Sequence, residues 1–315
     1  MSTTSNIAHS TTPPFSPLAP FDDPGADVIL RSSDGTDFHV YRVVLSLASP
    51  FFKEMFGLPQ PPFEPEVPTL PMAESAVVLD RMLRFWYPGA QPIAIPTLDE
   101  LRDTFESLIV RYDMQFIVPF AKRQLREYVQ EHPVAVFAIA CRHEWKDLAR
   151  EAAKSSLSVP IHDVCDSPRP SHLNDMTADT YHSLLRYHSR CARVARVPTS
   201  TLEWINRSDE TPGANCTERG DYSCPFDDRT WDYANAPGRP LVGWFAGHLK
   251  RLNTTLANSP LVRLDSPEVL TLAIKQMAAC PFCKTNGFER LAKFTVALKA
   301  KIDRDIDSVE LELNF

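Results

Sequence analysis

Proline constrains this chain more than any other residue type, because it limits how long an element can run between stops. Of 315 residues 28 are Pro, about 9% and near twice the usual share, while 10 are Gly, about 3%. Proline fixes φ and has no backbone N–H, so such a chain reads as short elements with hard ends. It does not read as a glycine-loop nucleotide binder. Hydrophobic residues at 43% and charged residues at 23% are ordinary for a globular chain, and the length is ample for a hydrophobic core. The formal charge of −7 argues against a nucleic-acid or anionic-membrane surface, which needs clustered Lys and Arg. No run of roughly 18 apolar residues occurs, so no bilayer-spanning helix is expected.

Residues 1–20 hold twelve Ser, Thr or Pro and no Asp, Glu, Lys or Arg, and are expected to form a disordered tail. They lack the apolar stretch of a secretory signal, which predicts an intracellular protein, cytoplasmic and/or nuclear. Its seven cysteines are then thiols or metal ligands rather than disulfides.

Beyond the tail, Asp27-Val28-Ile29-Leu30-Arg31 and Phe38-His39-Val40 read as two strands around an Asp34-Gly35 turn, a β-hairpin. Ser49-Pro50 is an N-cap followed by a first-turn proline, and Phe51, Phe52 and Met55 behind it are expected in the core. After a proline-broken loop, Thr69-Leu70-Pro71-Met72 reads as a short strand. Helical stripes follow: Val77, Val78, Met82, Leu83 and Trp86; then Leu101, Phe105, Leu108, Ile109 and Tyr112 behind a Thr97-x-x-Glu100 capping box. A further helix is expected to run from Val134 through Phe137, Cys141 and Trp145 to Leu148. Thr177 caps a long helix with Leu184, His188, Cys191 and Ala195 inward. The last helices carry Trp244 to Leu256, then Leu270, Ile274 and Met277, then Phe288, Leu291, Phe294, Leu298 and Ile302.

The run from Ala26 to Leu30 and then from Phe38 through Tyr41-Arg42-Val43-Val44-Leu45-Ser46-Leu47-Ala48-Ser49-Pro50 to Phe56 resembles a BTB/POZ domain, as does Leu83-Arg84-Phe85-Trp86-Tyr87-Pro88-Gly89. The resemblance covers roughly residues 22 to 130; the helices beyond resemble the carboxy-terminal extension of BTB proteins expanded in mushroom-forming fungi. It implies an α+β fold, a small sheet capped by helices with a buried helix ending near Ser49, followed by a mostly α-helical carboxy-terminal domain. The chain then divides into the tail 1–20, a BTB/POZ domain over 21–130, a helical extension over 131–197, an irregular loop region over 198–239 and carboxy-terminal helices over 240–315. One departure stands out: Tyr41 occupies the place where the family commonly has His, which suits a tyrosine whose hydroxyl finds a partner.

The resemblance implies a non-enzymatic protein–protein interaction module, pairing with itself as a homodimer or docking a partner. Asp27 matches a position that lies near the dimer interface in some family members; a carboxylate at a strand end also commonly serves as a local cap, and both readings stand. An alternative is substrate adaptor for a cullin-type ubiquitin ligase, for which the loop Phe63-Glu64-Pro65-Glu66 has the ingredients, a hydrophobic residue and Glu64 or Glu66, at the wrong spacing. A DNA-binding regulator ranks last, since no C2H2 finger pattern is present and the tail around Asp303 to Glu312 is acidic.

The chain carries few marks of catalytic chemistry. G-x-S-x-G, G-x-x-x-x-G-K and G-x-G-x-x-G are absent, and His143-Glu144-Trp145-Lys146-Asp147 is one ligand short of a zincin helix and reads as a solvated turn. Cys280-Pro281-Phe282-Cys283 is a C-x2-C knuckle that could join Cys216 and Cys224 in a structural zinc site; ordinary free thiols are the main competing reading, and a thioredoxin-like redox pair ranks behind both because the helix Leu270–Met277, and no strand, precedes it. The gap from Cys216 to Cys224 exceeds the usual ligand spacing. No other cofactor is expected.

Overall fold

The computed structural model describes residues 16–59, 67–91, 95–160, 176–205, 212 and 241–315. They fall into two compact units, one ending at Glu127 and one spanning Tyr128–Phe315. The first is α+β and the second helical.

In the first unit β1 (Val28–Arg31) pairs antiparallel with β2 (Asp37–Val40), and β3 (Thr69–Pro71) adds parallel to the other edge of β1, giving the order β2-β1-β3. Register follows from burial. Val28 faces Val40 and Leu30 faces Phe38, all four fully buried, so a one-residue slip would turn the whole set to solvent. At the turn end of the hairpin Arg31 faces Asp37 and grips it with two donors at 2.6 and 2.7 Å. Gly35 closes the turn at φ +86°, a left-handed conformation that favours glycine. The Asp34 carboxylate in that turn accepts from the Ala76 N–H at 3.0 Å, and so caps a helix 42 residues away.

That helix is α3 (Ala76–Arg84), preceded by α1 (Arg42–Ala48) and α2 (Pro50–Gly57). Ser49 ends one and begins the other: its N–H bonds the Leu45 carbonyl, and its Oγ accepts from the Phe52 N–H at 3.3 Å. Next come α4 (Leu98–Glu106), a π-helical turn (Ser107–Arg111), a 3-10 turn (Gln115–Ile117) and α5 (Val118–Glu127). Thr97 caps α4 by accepting from Glu100 N, as the capping box requires, but the Glu100 carboxylate turns to Arg81 at 3.3 Å.

The second unit consists of α6 (Pro133–Arg142), α7 (Lys146–Ser156), α8 (Ala178–Ser200), α9 (Gly243–Asn258), α10 (Pro267–Ala278) and α11 (Cys283–Asp307). α6 packs on α7, α8 on α9 and α11, and α10 between α9 and α11 in sequence and space. Thr177 caps α8 by accepting from Thr180 N, and the inward row is Leu184, His188, Cys191 and Ala195. α8 continues through Pro198 to end at Ser200.

Four expectations are corrected. Phe51 is 42% exposed, whereas Phe52 is buried with Phe56 stacked on it one turn later; an eight-residue helix has one inward row, and Phe51 lies beside it. In α3 the inward row is Ala76, Leu79, Asp80, Met82 and Leu83, with Val77 exposed. Asp80 enters that row because Arg84 neutralises it through two hydrogen bonds, at 2.8 and 3.0 Å, so counting apolar residues alone misplaced the face. The single helix from Val134 to Leu148 is two: Glu144 adopts φ +58° and ends α6, whose residues Ala135–Cys141 are buried on every side. Finally Phe288 is 60% exposed, because Gly287 takes the inward position opposite Met277, where a larger side chain would not fit.

Candidate interaction site

In α1 the sequence Arg-Val-Val-Leu-Ser-Leu-Ala is apolar around most of its circumference, yet Leu45 alone is buried. Val43 is 62% exposed and Leu47 84%, one turn apart on one face of the helix. This corrects the buried helix that the resemblance implied. A helix that is apolar all round belongs in an interior; here Val44 and Ala48 are partly covered, while Val43 and Leu47 are exposed. Other exposed apolar side chains of the unit, such as Leu58, Val110 and Phe116, sit singly on separate elements. Scattered apolar residues of that kind are ordinary surface.

The corner that presents this face is rigidly built. At its start, Asp27 Oδ1 accepts from the Arg42 N–H at 2.7 Å, so the carboxylate before β1 caps α1. The Tyr41 hydroxyl donates to Asp23 Oδ2 at 2.6 Å, which supplies the partner a tyrosine needs at this place, and Tyr41 N–H donates to the Tyr87 hydroxyl at 3.1 Å. The Tyr41–Asp23 bond raises the Tyr41 pKa and lowers that of Asp23, so both groups keep the states in which tyrosine donates and carboxylate accepts. At the far end, Ser49 Oγ donates to the Tyr112 carbonyl at 2.6 Å, and Phe52 stacks on the Tyr112 ring at 5.2 Å. The Tyr112 hydroxyl donates to buried Glu74, which also receives Arg111 at 2.6 Å. Burial above all, and then the Glu74 carboxylate, raise the Tyr112 pKa, so it remains a donor. Phe51 packs edge-on against Tyr112 at the rim of the exposed face.

Of the residues singled out from sequence, Asp27 stands at this corner, exposed and bonded to α1. Phe63, Glu64 and Glu66 lie outside the described residues, as do Cys216 and Cys224. Cys280 and Cys283, both buried, flank the entry to α11, and Cys283 Sγ accepts from Trp244 Nε1 at 3.3 Å. His188 is held neutral by burial, with Nε2 bonded to the Ser156 carbonyl and therefore carrying the proton. His143 is half-buried and stacks on buried Trp145 at the turn between α6 and α7. Sequence reasoning missed Val43 and Leu47. The available signal was composition: too many apolar residues for a seven-residue helix to bury.

No helix among the described residues is long and apolar enough to cross a membrane. Comparison with family models matches residues 22–128 to the BTB/POZ domain, a family of non-enzymatic protein–protein interaction modules. No curated protein matches the chain.

Proposed function

We propose, taking residues 22–128 as a BTB/POZ domain, that this protein associates with a second copy of itself through the face of α1 that carries Val43 and Leu47. The observation that supports the reading is the exposure of two apolar side chains one turn apart on a helix with one buried residue. Covering them removes apolar surface from water at about 25 cal/mol per Å2, a gain the isolated unit leaves unused. Phe51 at the rim supplies an aromatic edge, the residue type that most often anchors an interface. Asp27 contributes by fixing the start of α1, and so acts on the interface through position.

Size-exclusion chromatography with light scattering on the full chain tests this. The wild type is expected to run as a dimer at tens of micromolar, and Val43→Glu/Leu47→Glu as a monomer. Both positions are exposed, so the variant's folding stability should stay within about 0.5 kcal/mol of wild type. A wild-type monomer, or a double variant that still dimerises, rejects the reading.

A further inference from the structure

The last residues of the chain, Ser308–Phe315, run without helix or strand over α7 and α8, and their side chains alternate. Leu311 is 9% exposed, and Val309, Leu313 and Phe315 are partly buried, while Glu310, Glu312 and Asn314 face solvent. That is the two-residue period of a β-strand, in a segment laid on helices. The outward polar groups reach back to a basic face. Glu312 is held between Arg186 at 2.7 Å and Arg190 at 3.0 Å, which stand one turn apart on α8. Arg190 also donates to the Glu310 carbonyl at 3.3 Å, Asn314 donates to Asp179 at 3.0 Å, and Lys146 lies 5.7 Å from the Phe315 ring centre.

Two features leave the segment open to replacement. Its ion pairs, and that of Lys154 with Asp307 just before it, all join side chains that are 39–59% exposed, where water and salt compete for both partners. The surface beneath also has space the segment leaves unfilled. A cleft of about 500 Å3, half open to solvent, lies beside Val309–Leu311 against Arg150, Lys154 and Tyr187, and another of about 310 Å3 beside Glu312–Phe315 against Arg142, Thr180 and the carboxylates of Glu144 and Asp179.

We propose that this basic face of α7 and α8 is a docking groove for an extended peptide of a partner protein in which acidic and apolar residues alternate, and that Ser308–Phe315 fills it in cis as a competitor. Arg186 and Arg190 select the acidic position, and the buried seat of Leu311 selects an apolar side chain facing inward. Affinity for a partner is then reduced by the fraction of time the chain's own segment is seated.

The test uses the full chain and a fluorescein-labelled Val309–Phe315 peptide, blocked at both ends. By fluorescence anisotropy, Leu311→Ser/Glu312→Lys, which frees the groove, should bind the probe at least tenfold more tightly than wild type. Adding Arg186→Glu/Arg190→Glu to that variant should remove at least tenfold of the affinity. Equal binding to wild type and freed chain, or binding that survives reversal of both arginines, overturns the proposal. So does a freed chain that exchanges segments between copies and excludes the probe. Hydrogen exchange on the unmodified chain gives an answer independent of variant folding: saturating probe should raise exchange at residues 309–315, and no change there overturns it.

Discussion

Glu74 shows how one buried carboxylate organises a unit. It is 5% exposed, receives Tyr112 at 2.7 Å and Arg111 at 2.6 Å, and through Tyr112 ties the start of α3 to the corner at Ser49. Its two donors are not equivalent. Tyr112 is buried, so Tyr112→Phe leaves part of a desolvated carboxylate unpaired and should cost about 1–3 kcal/mol. Arg111 is 52% exposed and exchanges its bond readily with water, so Arg111→Ala should cost within about 1 kcal/mol. Urea unfolding of the two variants checks the order; a larger loss at Arg111 would contradict it. Tyr41 and Asp27 belong to the same scale. The family place of Tyr41 was readable in the sequence, but its bond to Asp23 and the choice of Asp27 to cap α1 depended on where the chain folds back.

At the level of elements, helix α11 illustrates a face chosen by its neighbour. A Cβ on Gly287 would lie 2.5 Å from Met277 Sδ and 2.9 Å from Met277 Cγ, on a side chain that is 3% exposed. Gly287→Ala gains about 1 kcal/mol of helix propensity and incurs overpacking of about 1–3 kcal/mol, so a net loss is expected. In a Met277→Ala background the obstruction is gone, and the same substitution should become stabilising. A thermal double-mutant cycle with no coupling between the two sites would refute this. The sequence stripe placed Phe288 inward because an aromatic outweighs a glycine in any apolar count. Space, not hydrophobicity, decided that position. The break at Glu144 has a similar origin: apolar spacing continues from Phe137 to Leu148, but a buried α6 must end before α7 can turn back on it.

For each unit as a whole, His248 contributes to the acid limb of stability of the second. It is 1% exposed in α9, its Nδ1 is buried without a hydrogen-bond partner, and burial, aided by the Arg251 charge, lowers its pKa to about 4. A depressed pKa means the unfolded chain binds the extra proton first. This contribution to stability is therefore full above the ordinary value of 6.5 and falls as pH drops toward 4, by about 3 kcal/mol across that window. His248→Phe should flatten that part of the curve while leaving the neutral-pH value changed chiefly by packing. Acid titration of the melting temperature distinguishes the two; an unchanged acid limb in the variant would assign it to other groups.

Reading the residues in order was enough for whatever depends on near neighbours: the hairpin around Asp34-Gly35, the caps at Ser49, Thr97 and Thr177, and the inward row of α8. These are local because a turn, a cap or a helical period is complete within a few residues. Folding settled the parallel seat of β3 beside β1, the open face of α1 and the lodging of Ser308–Phe315 on α7 and α8. Each of those depends on which distant surface covers a given side chain, and burial is a property of pairs of surfaces that no stretch of chain carries alone.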